Sequence, residues 1–368
     1  MSARRDLEQR AGAVATRPAE HVGRGACGQG AVEVVMGQET GIAWTHHTAN
    51  FWMGCQRVSP GCEHCYAETL VTGRMGLPVW GPASTTERKR AKGAWRDVPA
   101  WNRAALRDGV RRRVFVSSLA DIFEEHPQVA PWRAEALALL EQCTALDVQL
   151  LTKRPENIMS MVPAHWRTAW PSHVWVGTTV EDQKRAEQRI PHLLMVPARV
   201  RFLSCEPLIE AVNLTRVVAR RIPGVIPGEV VIDGLRGWCG SSPDEDTPAA
   251  RGLQWVIVGG ESGHDARTFD VAWARSIVFD CREAGVPVFV KQMGDRPTTT
   301  LPPTEVWPTH CPTGKGAQFH GDGFGNYRVR GLAHHGANPS EWPPELRVQE
   351  FPAGVGRGAN GPLFGSTP

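Results

Sequence analysis

Apolar runs rich in β-branched residues recur along the chain, and each ends in polar residues: Val114–Asp121, Val148–Arg154, Val174–Asp182, Val200–Pro207, Trp255–Gly263 and Val286–Gly294. Segments with helical spacing lie between them, among them Pro131–Thr144, Gln183–Leu194 and Val271–Ala284. A shorter strand-like run, Gly41–Thr45, opens the series. Continuous apolar strands mark a parallel sheet buried on both faces, and βαβ crossovers supply the cover. Seven such strands predict an α/β fold, a full or partial (β/α) barrel rather than an open sheet. In such barrels the chemistry gathers at the C-terminal strand ends. Asp121, Lys153, Arg154, Glu181, Asp182, Glu206, Glu261 and Lys291 all fall there.

Two regions break the rhythm of a barrel domain expected over residues 38–294, one inside it and one after it. Residues 215–253 hold Pro, Gly and acidic residues without a period, and read as an insertion between the fifth and sixth strands. Residues 295–368 are rich in Pro, Gly and His, and read as an extension that wraps the barrel or stays partly mobile. Residues 1–37 are poor in large apolar side chains, which predicts a disordered leader, with Met36 a candidate native start.

Composition narrows the class. Hydrophobic residues make up 41% of the 368, enough for a substantial core. The net charge of +3 neither demands nor excludes a nucleic-acid partner. No eighteen apolar residues follow one another and no export signal opens the chain, so neither a membrane span nor secretion is expected. Of nine cysteines, six are scattered singly, unlike a disulfide framework, which predicts a reducing, cytoplasmic setting.

The other three, Cys55, Cys62 and Cys65, sit in one Gly/Pro-flanked loop with six and then two residues between them. Three thiolates suit a cubane iron–sulfur cluster with one iron left open. They equally suit a structural zinc completed by His64, His46 or His47, and reduced thiols without metal are a third alternative. The loop directly follows the first strand, at the expected barrel mouth. A reactive cluster has more reason to be there than a structural zinc.

Several ordered blocks carry a family resemblance: Ile42–Thr45, the cysteine loop continuing into Cys65–Glu68, Leu151–Pro155, Val180–Gln183, Leu203–Leu208, Gly259–Gly263, Lys291–Gly294 and Leu346–Pro352. Together they resemble the phage-associated three-cysteine-motif proteins, a family of unknown function similar to radical S-adenosylmethionine enzymes. The resemblance implies a radical-SAM-type barrel and a [4Fe–4S] cluster on Cys55, Cys62 and Cys65, with S-adenosylmethionine on the open iron. It also implies an electron donor, a methyltransferase-like partner protein and a nucleic-acid or nucleobase substrate. The gap of six residues departs from the commoner spacing of three.

On that basis Asp121 is expected to meet the cofactor's ammonium, Lys153 or Arg154 its carboxylate, and Glu181 with Asp182 its ribose. Glu261 follows Gly259–Gly260, a pair that permits close backbone approach to a ligand or a tight strand-to-helix turn, and is expected at the cofactor or the substrate. Cys205 is a candidate hydrogen donor to a substrate radical, or a buried thiol acting as a small hydrophobe. Glu206 stands beside it, and Lys291 is a candidate for a substrate phosphate or carboxylate. For each charged residue the alternative is an ion pair bracing the rim.

Trp44, Trp52, Trp80, Trp95 and Trp101 flank the loop and the basic stretch Glu87–Lys92, a mixture that suits a flipped base or a single strand. Core packing is the competing account of these indoles. His310, Cys311, His320, His334 and His335 are candidates for a second metal site, although their spacing matches no zinc pattern.

Overall fold

The structure is a computed structural model that describes residues 40–220, 228–237, 251–300, 318–321, 326–332 and 334–353. The leader expected over residues 1–37, much of the insertion, and His310 and Cys311 lie outside them. Seven parallel strands form one curled half-barrel sheet in sequential order: β1 (His47–Ala49), β2 (Arg112–Val116), β3 (Leu146–Thr152), β4 (Val174–Thr179), β5 (Arg201–Cys205), β6 (Trp255–Gly259) and β7 (Val288–Gln292). Four helices run alongside: α1 (Gly93–Asp108), α2 (Val129–Gln142), α3 (Gln183–Leu194) and α4 (Val271–Ala284).

The strand pleat sorts the two faces. Val114, Val148, Val176, Leu203, Val256 and Val288 point outward into the layer shared with Leu137, Ile190 and Ile277 of the helices. Phe115, Trp175, Phe202, Trp255, Ile257 and Phe289 point inward and pack with Trp44. Gly177 lies on that inner face, where a Cβ would stand 2.6 Å from the Phe202 ring.

The first strand differs from the sequence expectation. Gly41–Thr45 is a turn, closed by Thr45 N–H to the Ile42 carbonyl at 3.2 Å, and pairing starts at His47 opposite Val114. Ile42 and Trp44 are apolar because they pack into the barrel interior, not because they form a strand.

The last described segment completes the bottom of the sheet. Val290 N–H donates to Val348 and Glu350 N–H to Val288, so residues 348–350 run antiparallel along the free edge of β7. Phe351 then inserts between Trp255 and Phe289 at ring distances of 5.5 and 5.3 Å, beneath the Arg113 guanidinium. No helix among the described residues is long and apolar enough to cross a membrane.

Candidate functional site

A cavity of about 600 Å³ opens at the C-terminal ends of the strands, with Trp44, Phe115 and Leu151 toward its floor. Its roof is the cysteine loop. After β1 the chain makes a short antiparallel pair, Trp52–Met53 with Lys89–Arg90, and reaches Gly54. Gly54 has φ +111° and a Cβ there would lie 2.4 Å from the Val79 carbonyl oxygen, so glycine is required for the chain to turn into Cys55. A 3₁₀ turn over Pro60–Cys62 and a helical turn from Tyr66 place Cys62 and Cys65. Cys55, Cys62 and Cys65 are each partly exposed, and all three line the cavity.

Three arginine–carboxylate pairs hold this loop. Arg154 donates to Asp121 at 2.9 Å, to the Gln56 carbonyl at 2.8 Å and toward Cys55 Sγ at 3.7 Å. Glu181, fully buried, accepts from Arg189 at 2.7 Å and from Gly61 N–H at 3.2 Å. Glu261 accepts from the backbone N–H, Nε and Nη2 of Arg267 at 2.8, 3.0 and 2.7 Å, while Arg267 Nη1 donates to the Pro60 carbonyl at 2.9 Å. The sequence carries no signal for Arg189 or Arg267, which come from a helix and a loop far along the chain.

These contacts revise several expected roles. Asp121 is saturated by Thr152, Lys153 N–H, Phe123 N–H and Arg154, which leaves no oxygen for a cofactor ammonium. Burial works against its charge, but Arg154 and these donors hold its pKa below the usual carboxylate value. Glu181 braces the loop, Asp182 caps α3 through Arg185 N–H at 2.8 Å, and neither lines the cavity. Cys205 points to the outer face, fully buried, and burial pushes its thiol up to about 12.

The opposite wall keeps the polar groups expected of it. Lys291 is ion-paired with Glu206, which also accepts from Gln292 Nε2 at 3.1 Å. Gln292 continues to Ser262 Oγ at 2.7 Å. His64 Nδ1 stands 3.1 Å from Glu261. Lys153 lines the same cavity, and among the described residues its ammonium makes no hydrogen bond or ion pair.

The aromatic and basic surroundings divide. Trp44 and Trp80 line the cavity; Trp52 is fully buried, Trp95 packs on Phe51 and Trp101 stacks on His47. Arg88 is buried and bound to Glu124 at 2.8 and 2.9 Å, whereas Lys89, Arg90 and Lys92 are exposed, with Arg90 in a surface pair with Glu135. In the tail, His320 is exposed and His335 pairs with Asp295 at 2.8 Å.

The donor types suit a soft metal: three thiols line one cavity, with Lys153 and Arg154 beside them. As placed, no three His, Cys, Asp or Glu side chains among the described residues are gathered as metal ligands. Burial pushes the Cys55 thiol up to about 12 against the pull of Arg154, and raises Cys65 as well, so metal binding would release protons. His46 and His47 are removed as zinc ligands. His46 Nδ1 accepts from Arg113 N–H at 2.8 Å below β1, and His47 lies on Trp101.

A family model described as "Protein of unknown function (DUF5131)" matches residues 39–342. The chain belongs to this family. The family match takes in all three cysteines, the clamp arginines and the Glu206–Lys291 wall, and stops short of the segment that pairs with β7. No curated protein and no solved structure matches the chain.

Proposed function

We propose that the chain is a radical-SAM-type enzyme that carries a [4Fe–4S] cluster on Cys55, Cys62 and Cys65 and uses S-adenosylmethionine to modify a nucleobase or nucleic acid. The observation that carries this reading is that three thiols of one loop line a single cavity at the C-terminal mouth of a curled parallel sheet. The resemblance to phage-associated three-cysteine-motif proteins supports it, and brings with it an electron donor and a methyltransferase-like partner; the scattered cysteines favour a cytoplasmic setting.

When bound, the cluster and S-adenosylmethionine supply one-electron chemistry ending in hydrogen-atom abstraction from a substrate carbon. The chain's own residues orient and enclose. Lys153 offers to a carboxylate an ammonium that is unpaired among the described residues, while Arg154 is committed to the loop. Glu206, Lys291 and Gln292 form a linked polar wall that fixes a substrate's hydrogen-bonding edge. Trp44, Phe115 and Leu151 keep water from the floor.

Anaerobic purification with metal analysis, followed by assay for 5′-deoxyadenosine under reducing conditions, tests this reading. A brown protein with several irons per chain that cleaves the cofactor supports it. A colourless protein with one zinc overturns it in favour of a second reading, a zinc-stabilised nucleic-acid-binding or partner-recruiting protein. His64 on the same cavity wall favours that reading as the fourth ligand. Cys62→Ala is expected to abolish iron loading while the cooperative unfolding of the barrel persists, because the residue sits in a loop outside the core.

A further inference from the structure

Arg267 reaches two parts of the chain that are about two hundred positions apart in sequence. Its Nε and Nη2 form a fork on the two oxygens of Glu261, and its backbone N–H adds a third bond to the same carboxylate. Nη1 is left to point at the cysteine loop, where it donates to the Pro60 carbonyl at 2.9 Å and to Glu63 at 3.1 Å. Pro60 opens the 3₁₀ turn that contains Cys62, and its carbonyl also accepts from Glu63 N–H. Glu261 is 6% exposed, so its charge is fixed in place, and through His64 it touches the loop a second time.

We infer that Arg267 is a positioning residue: it locks the Pro60–Cys62 turn onto the end of β6, so that Cys62 is held in place before any metal arrives. A planar five-donor fork does this where lysine would not, because two arms serve the carboxylate and the third remains free for the backbone. Glu261 is thereby fully engaged as the anchor of the clamp, which accounts for a carboxylate after Gly259–Gly260 without a ligand to bind. The proposed metal site gives this pre-ordering its use, but the clamp itself stands on contacts within the chain.

The test uses the full-length, metal-free protein. Amide exchange at Gly61, Cys62 and Glu63, and alkylation of Cys62 by iodoacetamide, report on the loop; thermal unfolding reports on the barrel. Arg267→Gln is expected to speed loop exchange and alkylation by about tenfold, the loss of roughly one charge-assisted hydrogen bond, with little change in exchange of the β-strands. Arg275→Gln, which removes the ion pair from Arg275 on α4 to Glu345, is expected to leave the loop protected. Should Arg267→Gln fail to fold, Arg267→Lys keeps a charge for Glu261 and carries the same comparison. Loop protection equal to the native protein in either folded variant overturns the inference, as does uniform loosening of strands and loop together.

Cobalt(II) titration adds a spectroscopic measure: the thiolate-to-cobalt absorption of Arg267→Gln is expected to need about tenfold more metal for half-saturation. A native protein showing no such band would sink the proposed metal centre and leave the exchange comparison to decide the clamp.

Discussion

Ser204 and Cys205 are adjacent, and the pleat of β5 sends them to opposite faces: Ser204 to the cavity and Cys205 to the helix layer. A hydrogen donor must touch the substrate, so Cys205 is left with the role of a small hydrophobe. Cys205→Ala is expected to cost about 1 kcal/mol in chemical denaturation while cofactor cleavage and product yield stay unchanged. A loss of product without a loss of stability would restore the donor role. The neighbouring glycines are settled by the same kind of geometry. A Cβ on Gly260 would lie 2.4 Å from the Met293 carbonyl oxygen, so Gly260 serves close packing of backbone on backbone after β6 and β7, while a Cβ on Gly259 would press on the Glu206 side chain at 3.3 Å.

At the scale of elements, the free edge of β7 is covered by residues 348–350, and Trp255 Nε1 donates to the Glu350 carbonyl at 2.8 Å. Ending the chain before Leu346 would uncover that edge, expose the buried Leu346 and Val348 sites, and withdraw Phe351 from the barrel floor. Lower thermal stability and time-dependent light scattering are expected, since an open strand edge recruits other chains; unchanged melting with no scattering would contradict the pairing. Six of the seven strands were legible because both faces are buried, which produces long apolar runs. The first was misplaced because Ile42 and Trp44 are apolar for a different reason, as packing from a turn. The cysteine loop was legible from spacing alone. Its clamps were not, because Arg189 and Arg267 meet the loop only through the fold, and nothing local to either marks it.

Across the whole molecule, acid sensitivity follows from imidazoles held neutral. Burial, reinforced by Arg113, His47 and Arg112, lowers the pKa of His46 to about 4; burial also lowers His173 and His192. His46 Nδ1 accepts from Arg113 N–H, and a proton on that nitrogen would break one of the bonds tying the chain before β1 to β2, beside His46 N–H to the Arg113 carbonyl and Arg113 Nε to the Trp44 carbonyl. A histidine near 6.5 when unfolded and about 4 when folded binds more protons unfolded between those values. Its stabilising contribution is therefore fully present above pH 6.5 and is lost as pH falls through about 4. Each such histidine contributes a slope of up to about 1.4 kcal/mol per pH unit inside its window. Urea unfolding between pH 7.5 and 4.5 should show stability falling with acid. His46→Asn, whose amide oxygen takes over as acceptor for Arg113 N–H, should flatten that fall by up to one proton's worth. An identical slope in native protein and variant would mean that His46 titrates alike in both states, and the acid limb would then belong to His173, His192 and the carboxylates whose pKa the fold lowers, Asp121, Glu181 and Glu261.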